Sequence, residues 1–296
     1  MRKYLDPKAD IVFKKIFGEH PHLLKSFLNA VLPLSPTNQI VELEYLPVEQ
    51  IPEIPLFKRT ITDVKCKDQQ GKIFIVEMQI EWTDSFMQRL LFGTARAYVK
   101  QLRVGEAYHL LNPVYGLGLI DSVFDEKTPN WYHHYGLVSL KNHDEELING
   151  LTLVFVELPK FKTSSTEEKK LKILWLRFMK EIGRGKNTID PELLEVPEIR
   201  EALALAEEAA YTPAELEAYE EYWDTVSCER TLVDETRAKA LAEGKAAGKV
   251  EGKAEGKAEG REEEKLKMAR RMREDGMSDE TILKYTQLTE KELKLL

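Results

Sequence analysis

The chain lacks the features of several protein classes. Its 296 residues include two cysteines, Cys66 and Cys228, and no Cys-x-x-Cys pair. We therefore expect neither a disulfide framework nor a Cys-ligated zinc site. Apolar runs fall far short of the roughly 20 residues that a transmembrane helix needs, and no secretory signal is visible at the N-terminus. The sequence thus predicts a cytoplasmic protein that does not bind membranes.

Positive charges are also outnumbered by negative ones, which bears on the class of partner. Lys and Arg number 43 against 51 Asp and Glu, so the formal net charge is -8. The charges balance within residues 226–296, and residues 1–225 therefore carry the whole acidic excess. An acidic main body is unusual for a protein that binds nucleic acid. Any hypothesis of DNA binding has to account for it.

Glycine is unevenly distributed, and its pattern indicates the domain organisation. Five of the 16 glycines, at 244, 248, 252, 256 and 260, belong to a four-residue Gly-Lys repeat. The sequence predicts a body over 1–225, a spacer over 226–262 and a small tail over 263–296. The spacer is either a solvated linker of variable helicity or a helix that associates through its glycines. Each interior glycine costs about 1 kcal/mol relative to alanine, which favours the linker.

Hydrophobic periodicity predicts an α/β fold for the body. A first helix begins after Asp6-Pro7 and ends at Gly18. The segment 114–121 is apolar on both faces, as a central strand is. We expect strands over 39–46, 108–112, 114–121, 132–140 and 151–158, a hairpin over 59–82, and helices over 22–31, 84–103, 167–182 and within 192–242.

The predicted hairpin brings two carboxylates together. A three-residue loop over 69–71 places Gly71 at the left-handed position that such loops require. In the register that this loop sets, Asp63 lies opposite Glu77, with Cβ atoms about 4.5–5.5 Å apart. Two carboxylates at that separation repel unless a cation binds them, and hard oxygen ligands suit Mg²⁺. The alternative is that both groups face solvent and bind nothing.

Gln79 projects from the same face as Glu77, and this pattern resembles the PD-(D/E)xK nuclease superfamily in its E-x-Q form. Other segments are similar to one branch of it, the Rpn family of recombination-promoting nucleases, also described as candidate transposases. The resemblance covers roughly residues 1–225. The segments that carry it, besides Asp63, are Asp10 to Phe17, Phe74 to Gln79, Arg89 to Tyr98 on a helix, and Gly105 to Tyr108 ahead of an apolar strand.

The resemblance implies a restriction-endonuclease-like α/β fold, in which a mixed sheet core is flanked by helices, here with a helical C-terminal extension. It also implies hydrolysis of DNA phosphodiesters that depends on Mg²⁺ or Mn²⁺, with Asp63 and Glu77 as the metal ligands. Gln79 stands where the superfamily often has lysine. Glutamine offers no usable proton acceptor, so the metal ion has to activate the attacking water, and Gln79 orients it.

Two further residues are candidates for the catalytic set. Lys65 shares the face of Asp63 in the predicted register and would stabilise the charge of the transition state; the alternative is a solvated strand lysine. The resemblance also implies that an acidic residue on the first helix reaches the metal or its water, and Asp10 holds that place. The alternative for Asp10 is an early-helix acid favoured by the helix dipole.

The predicted helix over 84–103 carries a candidate phosphate track. Its members are Arg89, Arg96, Lys100 and Arg103. Their spacing puts them on one helix face, where cations neutralise successive phosphates. The alternative is an ordinary solvated helix face.

The tail is similar to a helix-turn-helix. A helix that Gly276 ends is followed by a second helix with Ser278 as its N-cap, and Thr289 with Glu292 match the capping box of a last helix. That last helix has only about seven residues, near 10 Å of length. DNA binding and protein interaction by the tail both stay open.

The sequence supports two functions from different classes. The leading hypothesis is a Mg²⁺-dependent DNA endonuclease, with DNA as its partner, that promotes recombination or transposition-like transactions. The alternative is a non-catalytic interaction protein with a nuclease fold and a tail that binds DNA or protein; the acidic body and Gln79 favour it. Concerted double-strand cleavage would need two active sites, so a homodimer is compatible with the sequence, which leaves the oligomeric state open.

Overall fold

The computed structural model describes residues 3–50, 60–83, 85–141, 148–162, 170–183 and 188–295. The chain divides into two compact units, Met1–Cys228 and Glu229–Leu296. Among the helices of the described ranges, none combines the length and the apolarity that a bilayer crossing requires.

The larger unit is built on a mixed β-sheet of six strands in the order β1-β4-β5-β6-β8-β7. Strands β5, β6 and β8 run parallel to one another, whereas β1, β4 and β5 pair antiparallel at one side and β7 pairs antiparallel with β8 at the other. A separate pair joins β2 to β3. The strands are β1 (Leu43–Tyr45), β2 (Glu49–Gln50), β3 (Thr60–Ile61), β4 (Val64–Asp68), β5 (Ile73–Gln79), β6 (Val114–Ile120), β7 (Tyr132–Tyr135) and β8 (Leu151–Glu157).

Helices flank this sheet, so the predicted α/β architecture is confirmed. The α-helices are α1 (Asp10–Phe13), α2 (Pro21–Val31), α3 (Ser85–Val99), α4 (Lys170–Glu181), α5 (Pro197–Ala206), α6 (Pro213–Glu274), α7 (Asp279–Thr286) and α8 (Glu290–Lys294). A π-helix over Lys14–Gly18 follows α1 and ends at the predicted glycine. Short 3-10 turns occupy Pro36–Asn38, Tyr108–Leu110, Leu158–Lys160, Pro191–Leu194 and Glu208–Ala210.

One predicted strand is wrong and one predicted helix is too long. The segment 108–112 forms a 3-10 turn over Tyr108–Leu110, in which Leu111 N donates to Tyr108 O, and the Tyr108 side chain is exposed. Such a turn uses its own backbone groups and leaves little for a sheet. The helix predicted over 84–103 ends at Val99.

The sheet separates two hydrophobic layers. The larger layer packs α1, α2, α4 and α5 against residues such as Phe74 and Val76 of β5. The smaller layer packs α3 against Ile73 and Ile75 of the same strand. Both faces of β5 are therefore buried until its last two residues, where the side chains turn partly accessible at Met78 and Gln79. The carboxyl end of β5 is the place where a polar site can reach solvent.

Two glycines in β6 let α3 approach the sheet closely. A Cβ atom on Gly116 would lie 2.6 Å from Thr94 Oγ1, and one on Gly118 would lie 2.9 Å from Phe86 Cε1. Both neighbours belong to α3 and are fully buried. Small residues at these positions therefore set the distance between α3 and the sheet.

The smaller unit has a core of its own, where the end of α6 packs with α7 and α8. The residues of that core are Ala269, Met272, Ile282, Leu288 and Leu293. The predicted helix ends are confirmed: Gly276 takes a left-handed φ of 79°, the Ser278 side chain accepts from Thr281 N, and Thr289 forms a capping box with Glu292.

The Gly-Lys repeat lies within the continuous helix α6. A Cβ atom on any of its five glycines would meet no atom of the described residues within 4 Å. A four-residue period advances by about 40° per repeat on a helix of 3.6 residues per turn. The five glycines thus spread over about 160° of the helix surface, and association through them stays an untested alternative. The boundary at 226–262 stays a prediction.

We expect Gly116→Ala to destabilise the larger unit by about 1–3 kcal/mol, because the added methyl group overpacks the contact with Thr94 and displaces α3. Urea unfolding monitored by tryptophan fluorescence measures the change. Gly248→Ala, which adds a methyl group in open space on α6, is the matched control and should leave this transition unchanged. An unaltered midpoint for Gly116→Ala would contradict the close packing of α3.

Candidate active site

The β4–β5 hairpin has the predicted register, and it ends with a carboxylate. Val64 pairs with Val76, and Gly71 in the loop takes a φ of 82°. Pairing between the strands stops at Val64. Beyond it, Asp63 Oδ2 accepts a hydrogen bond of 2.6 Å from the backbone N of Met78. This bond ties Asp63 to β5 beside Glu77.

Burial raises the pKa of both carboxyl groups. The pKa of Asp63 rises to about 6, mainly through burial and with a contribution from the charge of Asp10, although the Met78 N–H bond opposes the rise. The pKa of Glu77 rises to about 7, mainly through burial; the Arg89 charge opposes this, and the charge of Asp63 adds to it. The charge of Asp63 thus makes Glu77 harder to ionise.

Glu77 is deeply buried. It is 4% exposed, and its Oε1 atom has no hydrogen-bond partner within the described residues. A buried carboxylate oxygen without a donor is costly unless it is protonated or binds a cation. The orphaned oxygen therefore marks a point where a cation would be stabilising.

Arg89 on α3 contacts both Glu77 and Gln79. Its Nη2 atom donates to Gln79 Oε1 at 2.6 Å, and its Nε atom lies 3.4 Å from Glu77 Oε2. Gln79 Nε2 in turn donates to Glu81 O at 2.7 Å, which turns the amide oxygen towards Arg89. The sequence predicts Arg89 as part of a phosphate track; the structure brings it into the acidic site instead.

Asp10 belongs to the surroundings of this pair. It lies at the start of α1, and its two carboxylate oxygens lie 2.8 and 2.9 Å from Lys14 Nζ. The charges of both residues act on Asp63, in opposite directions. The structure therefore brings Asp10 within electrostatic reach of Asp63, together with a lysine that the sequence pattern did not single out. The i,i+4 spacing of the two residues was the available signal.

Lys65 lies among cations. Its pKa is lowered by burial first, and then by the charges of Lys100 and Arg96. Lys65 pairs with Ile75, two residues and about 7 Å along the strand from Asp63. We call Lys65, Arg96 and Lys100 the basic cluster.

Arg103 does not belong to the helix face on which the sequence predicts it. α3 ends at Val99, and Lys100 N still donates to Arg96 O as a last helical turn. Arg103 follows beyond that turn, where its backbone N donates to a carboxylate oxygen of Glu106 at 2.6 Å. The helical spacing that joined it to the track stops before it.

The residues present fit a hard divalent cation. No group of three or more His, Cys, Asp and Glu side chains that could hold a metal occurs within the described residues. Mg²⁺, however, is commonly held by one or two carboxylates, with waters and substrate phosphates completing its shell. Asp63, Glu77 and the amide oxygen of Gln79 supply oxygen atoms of this kind, and Glu77 Oε1 has no partner among the described residues.

Two known families match the chain. Residues 7–235 match the family described as PD-(D/E)XK nuclease family transposase. Residues 262–296 match the C-terminal HTH domain of the Rpn/YhgA-like nuclease family. Neither a curated protein nor a solved structure matches.

The raised pKa values predict how stability depends on pH in the metal-free protein. The ordinary values of Asp63 and Glu77 are 3.8 and 4.5, and the folded values are about 6 and about 7. Between its ordinary and its folded pKa, each group binds more protons in the folded than in the unfolded state. The free energy of unfolding therefore falls as the pH rises to about 7.

Glu77→Gln is neutral at every pH and should remove roughly 1–3 kcal/mol of this fall between about pH 5 and about pH 8. Urea unfolding at the two pH values measures it, and the exposed Glu217→Gln on α6 is the control. If the free energy of unfolding of Glu77→Gln fell with pH as much as that of the wild type, ionisation of Glu77 would not be the cause of the pH dependence.

Proposed function

Because the chain belongs to the PD-(D/E)XK nuclease family of transposases, we propose that this nuclease is an endonuclease that hydrolyses DNA phosphodiesters with a divalent metal ion. One observation carries the proposal: half-buried Asp63 and buried Glu77 form a carboxylate pair, in which Glu77 Oε1 has no partner among the described residues, at an accessible strand end. Recombination or a transposition-like transaction is the setting that we infer for this activity.

Asp63 and Glu77 would hold Mg²⁺ or Mn²⁺. When bound, such an ion supplies Lewis acidity and lowers the pKa of a coordinated water. Gln79 cannot take a proton, so its role is to orient polar partners through its amide. The Met78 N–H fixes one oxygen of Asp63, and the partial burial of the site limits competition from bulk water.

The basic cluster is the surface that we propose for the DNA backbone. Lys65 extends from β4, and Arg96 and Lys100 extend from the end of α3. A local concentration of cations suits phosphates on either side of the scissile bond. It also answers the objection from the net charge of -8, because steering depends on the local field more than on the total charge.

The tail is proposed as a second DNA contact. The C-terminal HTH family matches it, and its three helices have a packed core. The last helix, α8, has five residues, so phosphate contacts from the basic end of α6 would have to supplement base contacts. Lys267, Arg270 and Arg271 are exposed there.

A non-catalytic interaction protein is the second candidate. The observation that favours it is the ion pair between Arg89 and Glu77, since an internal cation neutralises the acidic site without metal. The two candidates differ in one respect that can be measured, which is cleavage of DNA that depends on Asp63.

We expect purified protein to cleave supercoiled plasmid in the presence of Mg²⁺ or Mn²⁺, and Asp63→Ala to lower the rate by about 100-fold or more through loss of positioning. Asp63→Asn is a sharper variant, because its amide oxygen can still accept from Met78 N while the charge is removed. The exposed Asp224→Ala is the control.

Equal cleavage by wild type and both Asp63 variants, or cleavage by none, would contradict the endonuclease proposal. The ratio of nicked to linear product also tests the assembly, because a concerted double-strand cut needs two sites. A homodimer, measured by light scattering, should accompany linear product.

Substitution of the basic cluster should weaken DNA binding without regard to sequence. For Lys65→Met and Arg96→Met we expect the slope of log K against log salt to fall by about 1 for each phosphate that the variant no longer neutralises. Fluorescence anisotropy with a labelled duplex in Ca²⁺ measures it. Lys170→Met, an exposed change on α4, is the control; unchanged slopes in both cluster variants would exclude this surface.

A further inference from the structure

Arg89 contacts two of the groups that the proposed metal site offers, Glu77 and Gln79, and leaves Glu77 Oε1 without a partner among the described residues. Its two contacts go to Glu77 Oε2 and Gln79 Oε1. The guanidinium therefore already neutralises the acidic site in the protein alone. Because like charges repel, a divalent cation at Glu77 Oε1 and the guanidinium at Glu77 Oε2 compete for the charge of one carboxylate and for the amide oxygen of Gln79.

Three features hold Arg89 beside Glu77 and Gln79. Glu77 is almost fully buried, so its carboxylate needs a nearby cation when it ionises. Gln79 is fixed by its own bond to Glu81 O, so its oxygen stays directed at Arg89. Arg89 also lies over the Phe86 ring, with 5.0 Å between its Cζ atom and the ring centroid. Such a contact supports the guanidinium in this position.

The Arg89 side chain nevertheless keeps a route out of the site. It is 45% exposed, and the separation of 3.4 Å from Glu77 is longer than a strong charge-assisted bond. Arg89 is thus held by two contacts, of which the one to Glu77 is the weaker.

We propose that Arg89 is an internal counter-cation that a divalent metal must displace, so that Arg89 lowers the metal affinity of the site while stabilising the metal-free protein. This inference rests on the proposed metal-dependent function and adds a positioning residue to it. Asp63 accepts its hydrogen bond from Met78 N and not from Arg89, so it remains available to the metal throughout.

The test measures metal binding without DNA. Titration calorimetry with Mn²⁺ at about pH 8, above the raised pKa values, compares wild type, Arg89→Met, Arg89→Lys and, as a control on α5, Arg200→Met. We expect the Kd of Arg89→Met to fall by about tenfold, or about 1.4 kcal/mol, because the competing charge is gone. Arg89→Lys should be intermediate, since an ammonium cannot span Glu77 and Gln79 as a planar guanidinium does.

Thermal unfolding separates competition from a merely structural role. Without metal, Arg89→Met should lower the Tm by about 3 °C, because Glu77 loses its counter-cation. With saturating Mn²⁺ this difference should vanish. A structural role alone would lower the Tm equally under both conditions.

The failures are distinguishable. If wild type binds Mn²⁺ in a manner that Glu77→Ala abolishes, and Arg89→Met binds no tighter, then only the competition is wrong. If neither wild type nor Arg89→Met binds Mn²⁺, both the metal-dependent function and the competition fail. Binding by Arg89→Met alone would support the competition in its strongest form.

Discussion

The register of the β4–β5 hairpin is the constraint on which the candidate site depends. Side chains alternate along a strand, so a slip by one residue would carry Glu77 to the opposite face of the sheet. Gly71, with its left-handed φ, fixes the loop, and the bond from Met78 N to Asp63 closes the other end. Between these two points the pairing brings two carboxyl groups together at the end of β5, next to α3 and α1.

Ionisation of two neighbouring carboxyl groups is unfavourable, and nearby cations of the chain offset this cost only in part. Water is largely removed from Glu77, and the raised pKa values of about 6 and about 7 express the cost of ionising the pair. The charge of Arg89 on α3 lowers the pKa of Glu77, and the charge of Lys14, on the π-helix that follows α1, lowers the pKa of Asp63. Singly charged side chains thus offset part of the negative charge of the pair, and the unpartnered Glu77 Oε1 remains open to a further cation.

Much of this was predictable from the sequence, because it depends on local rules. The hairpin register follows from a loop length and one glycine, and the caps of the tail follow from Ser278 and Thr289. The contacts of Arg89 were not predictable in the same way. They depend on where α3 lies on the sheet, and this is set by residues more than about 20 positions further along the chain, such as Gly116. Helix ends were equally hard to locate: α3 stops at Val99, so Arg103 does not have the neighbours that helical spacing would give it.

Gly116 and Gly118 affect the candidate site as well as the packing of the sheet. Helix α3, which carries Arg89, packs directly against these two glycines. The contact is so close that neither position has room for a Cβ atom. The bond from Arg89 to Gln79 is 2.6 Å long, so the Arg89 side chain would have to absorb any displacement of α3 for the bond to stay within hydrogen-bond range. Gly116 and Gly118 carry neither a side chain nor a charge. Through the position of α3 they nevertheless influence where the charge of Arg89 lies relative to Glu77 at the carboxyl end of β5.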